Sequence, residues 1–195
     1  MPHSDIHFEQ MATAGLVTLD RPDALNALSM DMVLAFADQL SRWAKDETVT
    51  HLVLCSSSPR AFCAGGDIKY ARQLAISDDP AGAEPYFRAE YLAHIALIEF
   101  GKPVIALCDG IVMGGGAGLA QHSQHIVMTE TTRFAMPESA IGLFPDVGAS
   151  LFLGRCPKSV ARLMGMTGHI VGAADCLLLG LATAQVSSSS LAGLK

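Results

Sequence analysis

The chain has 195 residues, of which 50% are apolar and only 16% charged, and its 13 Lys and Arg against 19 Asp and Glu give a net charge of −6. That length builds one substantial core and excludes a second full domain, while the acidic balance argues against a broad nucleic-acid surface. Charge content well below the roughly 25% of average soluble proteins leaves apolar surface to be covered by partner subunits or by further chain, and a homo-oligomer is the expectation.

The N-terminal stretch Met-Pro-His-Ser-Asp-Ile-His-Phe-Glu-Gln has neither an apolar signal region nor an Arg-rich amphipathic pattern. The longest apolar runs, such as 103–108 and 176–182, fall short of the ~20 residues of a membrane span. A cytoplasmic protein without a membrane segment is expected. Gly15 to Leu19, His51 to Cys55, Val104 to Cys108 and Ile126 to Thr129 read as strands with helical patterns between them, the rhythm of an α/β fold. After Ser29, a good N-cap, Val33, Phe36, Leu40 and Trp43 recur at helical spacing, which predicts an amphipathic helix from Met30 to Lys45. Ser56 to Pro59 is a turn, and 76–84, rich in Asp, Pro and Gly, reads as a mobile loop and candidate lid. From Pro85 to Phe100 a second helix places Phe87, Tyr91, Ile95 and Ile98 on one stripe, with Glu90 and His94 assigned to the same buried face. Further helices are expected from Ser159 to Met166 and near Ala173 to Leu179. Residues 1–184 are assigned to the core, and 185–195, with its run of four serines, to a frayed tail. Cys55, Cys63, Cys108, Cys156 and Cys176 are odd in number and lack Cys-x-x-Cys spacing, which points to buried free thiols.

Two glycine loops carry the chemistry. Arg60 to Lys69 contains Gly65 and Gly66 after a strand, without the spacing of a dinucleotide fingerprint or a P-loop. Gly110 to Leu119 contains Gly114, Gly115 and Gly116, which let a substrate approach the main chain closely. One amide from each loop, converging on a carbonyl oxygen, forms an oxyanion hole. Glu138 and Asp146 follow in apolar surroundings and supply the proton transfers of an acyl reaction. His122 and His125 lack an adjoining acidic ligand set, so no metal is expected, and they suit a helix end near a subunit contact.

The order Asp20-Arg21-Pro22-Asp23-Ala24-Leu25-Asn26-Ala27-Leu28, then Ala61 to Lys69, then Asp109 to Gly116 resembles the crotonase (enoyl-CoA hydratase/isomerase) superfamily. The resemblance implies a spiral of ββα units, acyl-CoA thioester substrates, and an oxyanion hole from the amides of Gly66 and Gly115. It also implies coenzyme A contacts from backbone around Ala24, Ala64, Asp67 and Ile68, with Arg21 or Lys69 facing phosphate. Coenzyme A is then part of the substrate, and no separate cofactor is implied. Hydratases of this superfamily carry a glutamate three residues after the oxyanion glycine, where this chain has Gly118. The segment Phe134 to Gly148 is instead similar to the 3-hydroxyisobutyryl-CoA hydrolase branch, which uses the positions of Glu90, Gly115, Glu138 and Asp146 around its substrate. On that resemblance Glu138 is a nucleophile or a base activating water, with burial beside Phe134, Met136 and Phe144 raising its pKa. Asp146 orients substrate hydroxyl or water, and Glu90 binds the 3-hydroxyl group. The branch is longer than this chain and continues into a C-terminal helical region. A hydratase or isomerase using Glu138 alone, and an inactive CoA-binding protein, are the alternatives.

Overall fold

The computed structural model describes residues 5–194. Strands β1 (Ile6–Met11) and β2 (Ala14–Leu19) form an antiparallel hairpin with Ile6 opposite Leu19. Helix α1 (Met30–Lys45) starts at Ser29, whose side chain accepts from the Met32 amide, and buries Met32, Val33, Phe36, Leu40 and Trp43 as its spacing predicts. Three successive turns follow. Strands β3 (His51–Ser56) and β4 (Ala61–Cys63) lead to helices α2 (Ile68–Ala75) and α3 (Glu84–Ile98). Strands β5 (Val104–Cys108) and β6 (Ile111–Met113) lead to α4 (Gly115–Gln121), and β7 (His125–Thr129) and β8 (Arg133–Ala135) open the third turn.

Each turn gives its first strand to one sheet and its second to another. Once α5 (Ala149–Leu153), α6 (Lys158–Thr167), β9 (Val171–Gly172), α7 (Ala173–Leu178) and β10 (Ala184–Val186) are added, the sheet orders are β1-β2-β3-β5-β7-β10 and β4-β6-β8-β9. This is the spiral of ββα units. Strands β2, β3, β5 and β7 run parallel, and cover on both faces explains their near-continuous apolar sequences. The main core lies between this sheet and α1, α3 and α4, with Leu52, Val104, Ala106 and Met128 fully buried. All five cysteines are buried free thiols. No described helix is long and apolar enough to cross a membrane.

Two expectations are corrected. The buried residues of α3 are Tyr86, Glu90, Ala93, His94 and Leu97, whereas Tyr91, Ile95 and Ile98 point outward. Glu90 and His94 are buried as expected, but the helix is apolar on two sides, and the stripe that spacing places beside them lies outside. Residues from Gln185 onward were expected to fray. Instead β10 pairs in parallel with β7, Glu130 accepts from both the amide and the hydroxyl of Ser188, and Leu191 is buried in a second apolar cluster.

Candidate active site

The two glycine loops meet because Asn26 fastens the preceding loop to β4. Its Nδ2 donates to Ser56 Oγ at 2.7 Å, Phe62 O at 3.0 Å and Ala61 O at 3.1 Å, and its Oδ1 accepts from the Arg21 amide at 2.7 Å. From there Leu28 N donates to Gly65 O at 2.8 Å, which aligns the turn into α2. Gly116 lets the second loop in, since a Cβ there would collide with the Cys63 carbonyl. A Cβ placed on Gly115 would lie 3.4 Å from Gly66 N, so the two donor positions are adjacent. Among the described residues neither the Gly66 nor the Gly115 amide has an acceptor. Two adjacent N–H groups without acceptors suit an oxygen that gains negative charge.

Three carboxyl groups surround them. Glu90, only 3% exposed, extends from α3 so that its oxygens lie 3.0 and 3.1 Å from where a Gly66 Cβ would stand, and Oε1 also abuts Gly115. Glu138 opens a short 3-10 turn, Glu138–Ile141, and its Oε1 lies 3.0 Å from a Cβ built on Gly114. Its Oε2 is buried without a hydrogen-bond partner. Burial, then the charges of Asp146 and Glu138, push Glu90 up to about 8. Burial first, with Asp146 adding to it, pushes Glu138 up to about 7. The expected apolar neighbours divide: Phe134 and Met136 are fully buried, whereas Phe144 is 72% exposed and turns away from the core.

Asp146 accepts from the Tyr91 hydroxyl at 2.7 Å. Burial and this bond raise the Tyr91 pKa, so the phenol remains a donor. Sequence reasoning gave Tyr91 no role, because 55 residues separate the partners and a tyrosine on an apolar stripe carries no mark of its hydroxyl's target. Ala64 and Ile68 line the same cleft, of ≈ 260 Å³, as Gly66, Gly115, Glu90, Glu138 and Asp146. Ala24 sits on the neighbouring 3-10 turn Pro22–Ala24. The Asp67 amide already bonds to Leu28 O at 3.0 Å and Tyr86 Oη at 2.7 Å. Its carboxylate caps α2 and pairs with Arg21 at 2.8 Å, so Asp67 and Arg21 hold the turn together. Lys69 is exposed and has no ion-pair partner among the described residues.

Gly118 is enclosed: a Cβ there would lie 2.6 Å from His94 Nε2 and 2.8 Å from Val147 Cγ2. No side chain fits without displacing both. His122 caps α4 and faces the Val147 carbonyl at 2.9 Å, and His125 begins β7. Among the described residues no group of His, Cys, Asp and Glu has the geometry of a metal site.

The sequence profile of the enoyl-CoA hydratase/isomerase family matches residues 14–195. The chain belongs to this family. It is 39% identical over 192 residues to the mitochondrial 3-hydroxyisobutyryl-CoA hydrolase of Danio rerio, covering 98% of this chain and 50% of that protein. With 3-hydroxyisobutyryl-CoA hydrolase 1 of Arabidopsis thaliana it shares 40% identity over 193 residues, covering 98% and 50%. An enoyl-CoA hydratase from Rhodobacter sphaeroides superposes with a TM-score of 0.94 at 38% identity, covering 98% of this chain and 57% of the other. A carnitinyl-CoA dehydratase from Mycobacterium thermoresistibile gives 0.93 at 34% identity, covering 98% and 56%. The chain spans about half the length of the curated relatives it matches. Gly66, Gly115, Glu90, Glu138 and Asp146 line one cleft of this chain.

Proposed function

We propose that the chain hydrolyses a short-chain 3-hydroxyacyl-CoA thioester of the 3-hydroxyisobutyryl-CoA type. The single observation that carries this is Glu138: a buried carboxyl oxygen without a partner, raised to about 7 by burial, beside two amides that lack acceptors. The thioester oxygen binds those amides, and the carbonyl carbon faces Glu138. In one route Glu138 takes a proton from water as the water oxygen bonds to the carbon; the C–S bond then breaks and the sulfur takes that proton. In the other, Glu138 bonds to the carbon, coenzyme A leaves as thiolate and is protonated, and water opens the resulting anhydride. Both consume one water and yield acid and free thiol.

Asp146, held by Tyr91, orients the attacking water or the substrate hydroxyl. Glu90, largely protonated below pH 8, donates to the 3-hydroxyl oxygen. Exposed Lys69 faces the phosphates of coenzyme A. Hydration across a double bond is disfavoured because Gly118 has no room for a carboxylate side chain. Release of free thiol from 3-hydroxyisobutyryl-CoA by the purified chain tests the reading, with hydration of crotonyl-CoA as control. The expected result is thiol release that Glu138→Gln and Asp146→Asn strongly reduce. Binding of the thioester without any release would leave a CoA-binding protein and overturn hydrolysis.

A further inference from the structure

We infer that His94 is a positioning residue that ties the oxyanion-donor turn at Gly115 to the helix carrying Glu90. Its ring is 3% exposed and lies between two carbonyls, with Nδ1 2.9 Å from Glu90 O and Nε2 3.0 Å from Gly115 O. The contact with Glu90 O stays within α3, whose own ladder already engages that carbonyl. The contact with Gly115 O joins α3 to α4, and no other described side chain hydrogen-bonds between those two helices. A neutral ring donates through one nitrogen, and donation from Nε2 makes the cross-link.

The Gly115 turn is held on its Gly114 side, where the Gly114 amide donates to Ala135 O at 3.3 Å and the Gly114 carbonyl accepts from Gly118 N at 3.0 Å, and His94 holds its other side, at the Gly115 carbonyl. Gly114, Gly115 and Gly116 have no side chains to pack, and Gly114 adopts φ 52° and ψ −127°, a conformation that glycine enters freely and leaves as freely. A donor amide lowers a barrier only when it is already aimed at the developing oxyanion. His94 aims it in two ways. Nε2 holds the Gly115 carbonyl, and the ring fills the volume above Gly118, where only hydrogen leaves room.

The same packing reaches the far acid. The His122 ring meets His94 edge to face at 5.7 Å, and His122 Nε2 lies 2.9 Å from Val147 O. Val147 has φ 40°, unusual for a β-branched residue, and directly follows Asp146. Rings on α3 and at the end of α4 therefore brace the Gly115 amide, Glu90 and Asp146 as one unit.

This inference rests on the hydrolase reading in taking the Gly115 amide as a catalytic donor, and its test has an arm that needs no turnover. His94→Leu keeps apolar volume and removes the donor; His94→Gln keeps an amide donor at the reach of Nε2. In the full chain, hydrogen exchange of amides 114–118 is followed by mass spectrometry, and kcat and KM for thiol release are measured in parallel. His94→Leu is expected to speed exchange in that segment and to lower kcat roughly 10- to 100-fold with KM within about twofold, the scale of a misplaced catalytic group. His94→Gln is expected to restore both. Should His94→Leu fail to fold, His94→Asn, whose amide falls short of Gly115, replaces it with the same expectation. Unchanged exchange in the donorless variant, or a His94→Gln variant as impaired as His94→Leu, would overturn the inference. If the unmutated chain releases no thiol, hydrolysis fails while the exchange comparison still decides the role of His94.

Discussion

At the scale of single residues, Glu138 and Glu90 are pushed in the same direction by burial, but the consequences differ. Glu138 acts as base or nucleophile only when ionised, and its pKa is about 7. Thiol release is therefore expected to rise through pH 7 and to fall again above about 8, where Glu90 loses the proton it donates, in a kcat/KM profile, which reports the free chain. Glu138→Gln is expected to lower the rate by about 10²- to 10⁴-fold, the range of a lost acid or base. In a single turnover in ¹⁸O-water followed by peptide mass spectrometry, label in the Glu138 carboxyl identifies the anhydride route with water attacking the glutamyl carbon. Glu90 enters through stability. Its pKa rises from 4.5 to about 8 on folding, so between those values the folded chain holds a proton that the unfolded chain has lost. Unfolding then releases that proton, and the contribution of Glu90 to stability falls as pH rises from about 4.5 to 8. In urea unfolding, Glu90→Gln is expected to be more stable than the unmutated chain at pH 8 and to lose that advantage near pH 5. A difference that stays constant with pH would show that Glu90 is not held protonated by the fold.

At the scale of elements, what could be read from the sequence follows how each element is buried. Strands β2, β3, β5 and β7 sit inside the larger sheet, and their unbroken apolar runs announced them. Strands β4, β6 and β8 have three residues each, too few for a period, although the motifs resembling the crotonase superfamily implied them through the ββα spiral. The site followed the same division. Glycine pairs and acids carry chemical signals, so Gly66, Gly115, Glu138, Asp146 and Glu90 were legible; Tyr91 and His94 act through atoms whose targets only the fold brings near. On α3 the inward turn of Glu90 and His94 was legible, but the stripe assigned beside them was not, because the outer side of the helix holds isoleucines whose spacing looks like that of a buried face. Asn26 shows how an element boundary controls the site. Asn26→Ala removes the donor to two buried carbonyls at the entry to β4 and the acceptor of the Arg21 amide. It is expected to cost about 2 kcal/mol or more in urea unfolding and to raise KM, since Ala64 and Gly66 follow on the same loop. Loss of stability with unchanged KM would confine its role to folding.

At the scale of the whole molecule, the low charge content has a definite location. Leu92, Ile95 and Ile98 on the outer side of α3, together with Phe144 and Leu151, are between 45% and 72% exposed. They border grooves that begin at Asp146. Scattered apolar residues on a surface are ordinary, but a run of large ones along a helix beside a cleft is a surface awaiting cover. The chain is therefore expected to self-associate through this face, with sedimentation velocity showing a mass that rises with concentration in the micromolar range. Ile95→Lys and Leu151→Lys are chosen because neither side chain lines the cleft around Glu138. Together they are expected to shift the chain toward monomer, since burying an unpaired ammonium costs far more than the apolar contact it replaces. They leave Glu90, Glu138 and Asp146 in place, so thioester affinity measured by calorimetry separates two roles for the assembly. Affinity that falls along with the mass would make the neighbouring copy a wall of the acyl site, whereas unchanged affinity would confine association to covering α3. An unmutated chain that sediments as a monomer across the whole concentration range would sink the idea that this face is an interface between copies.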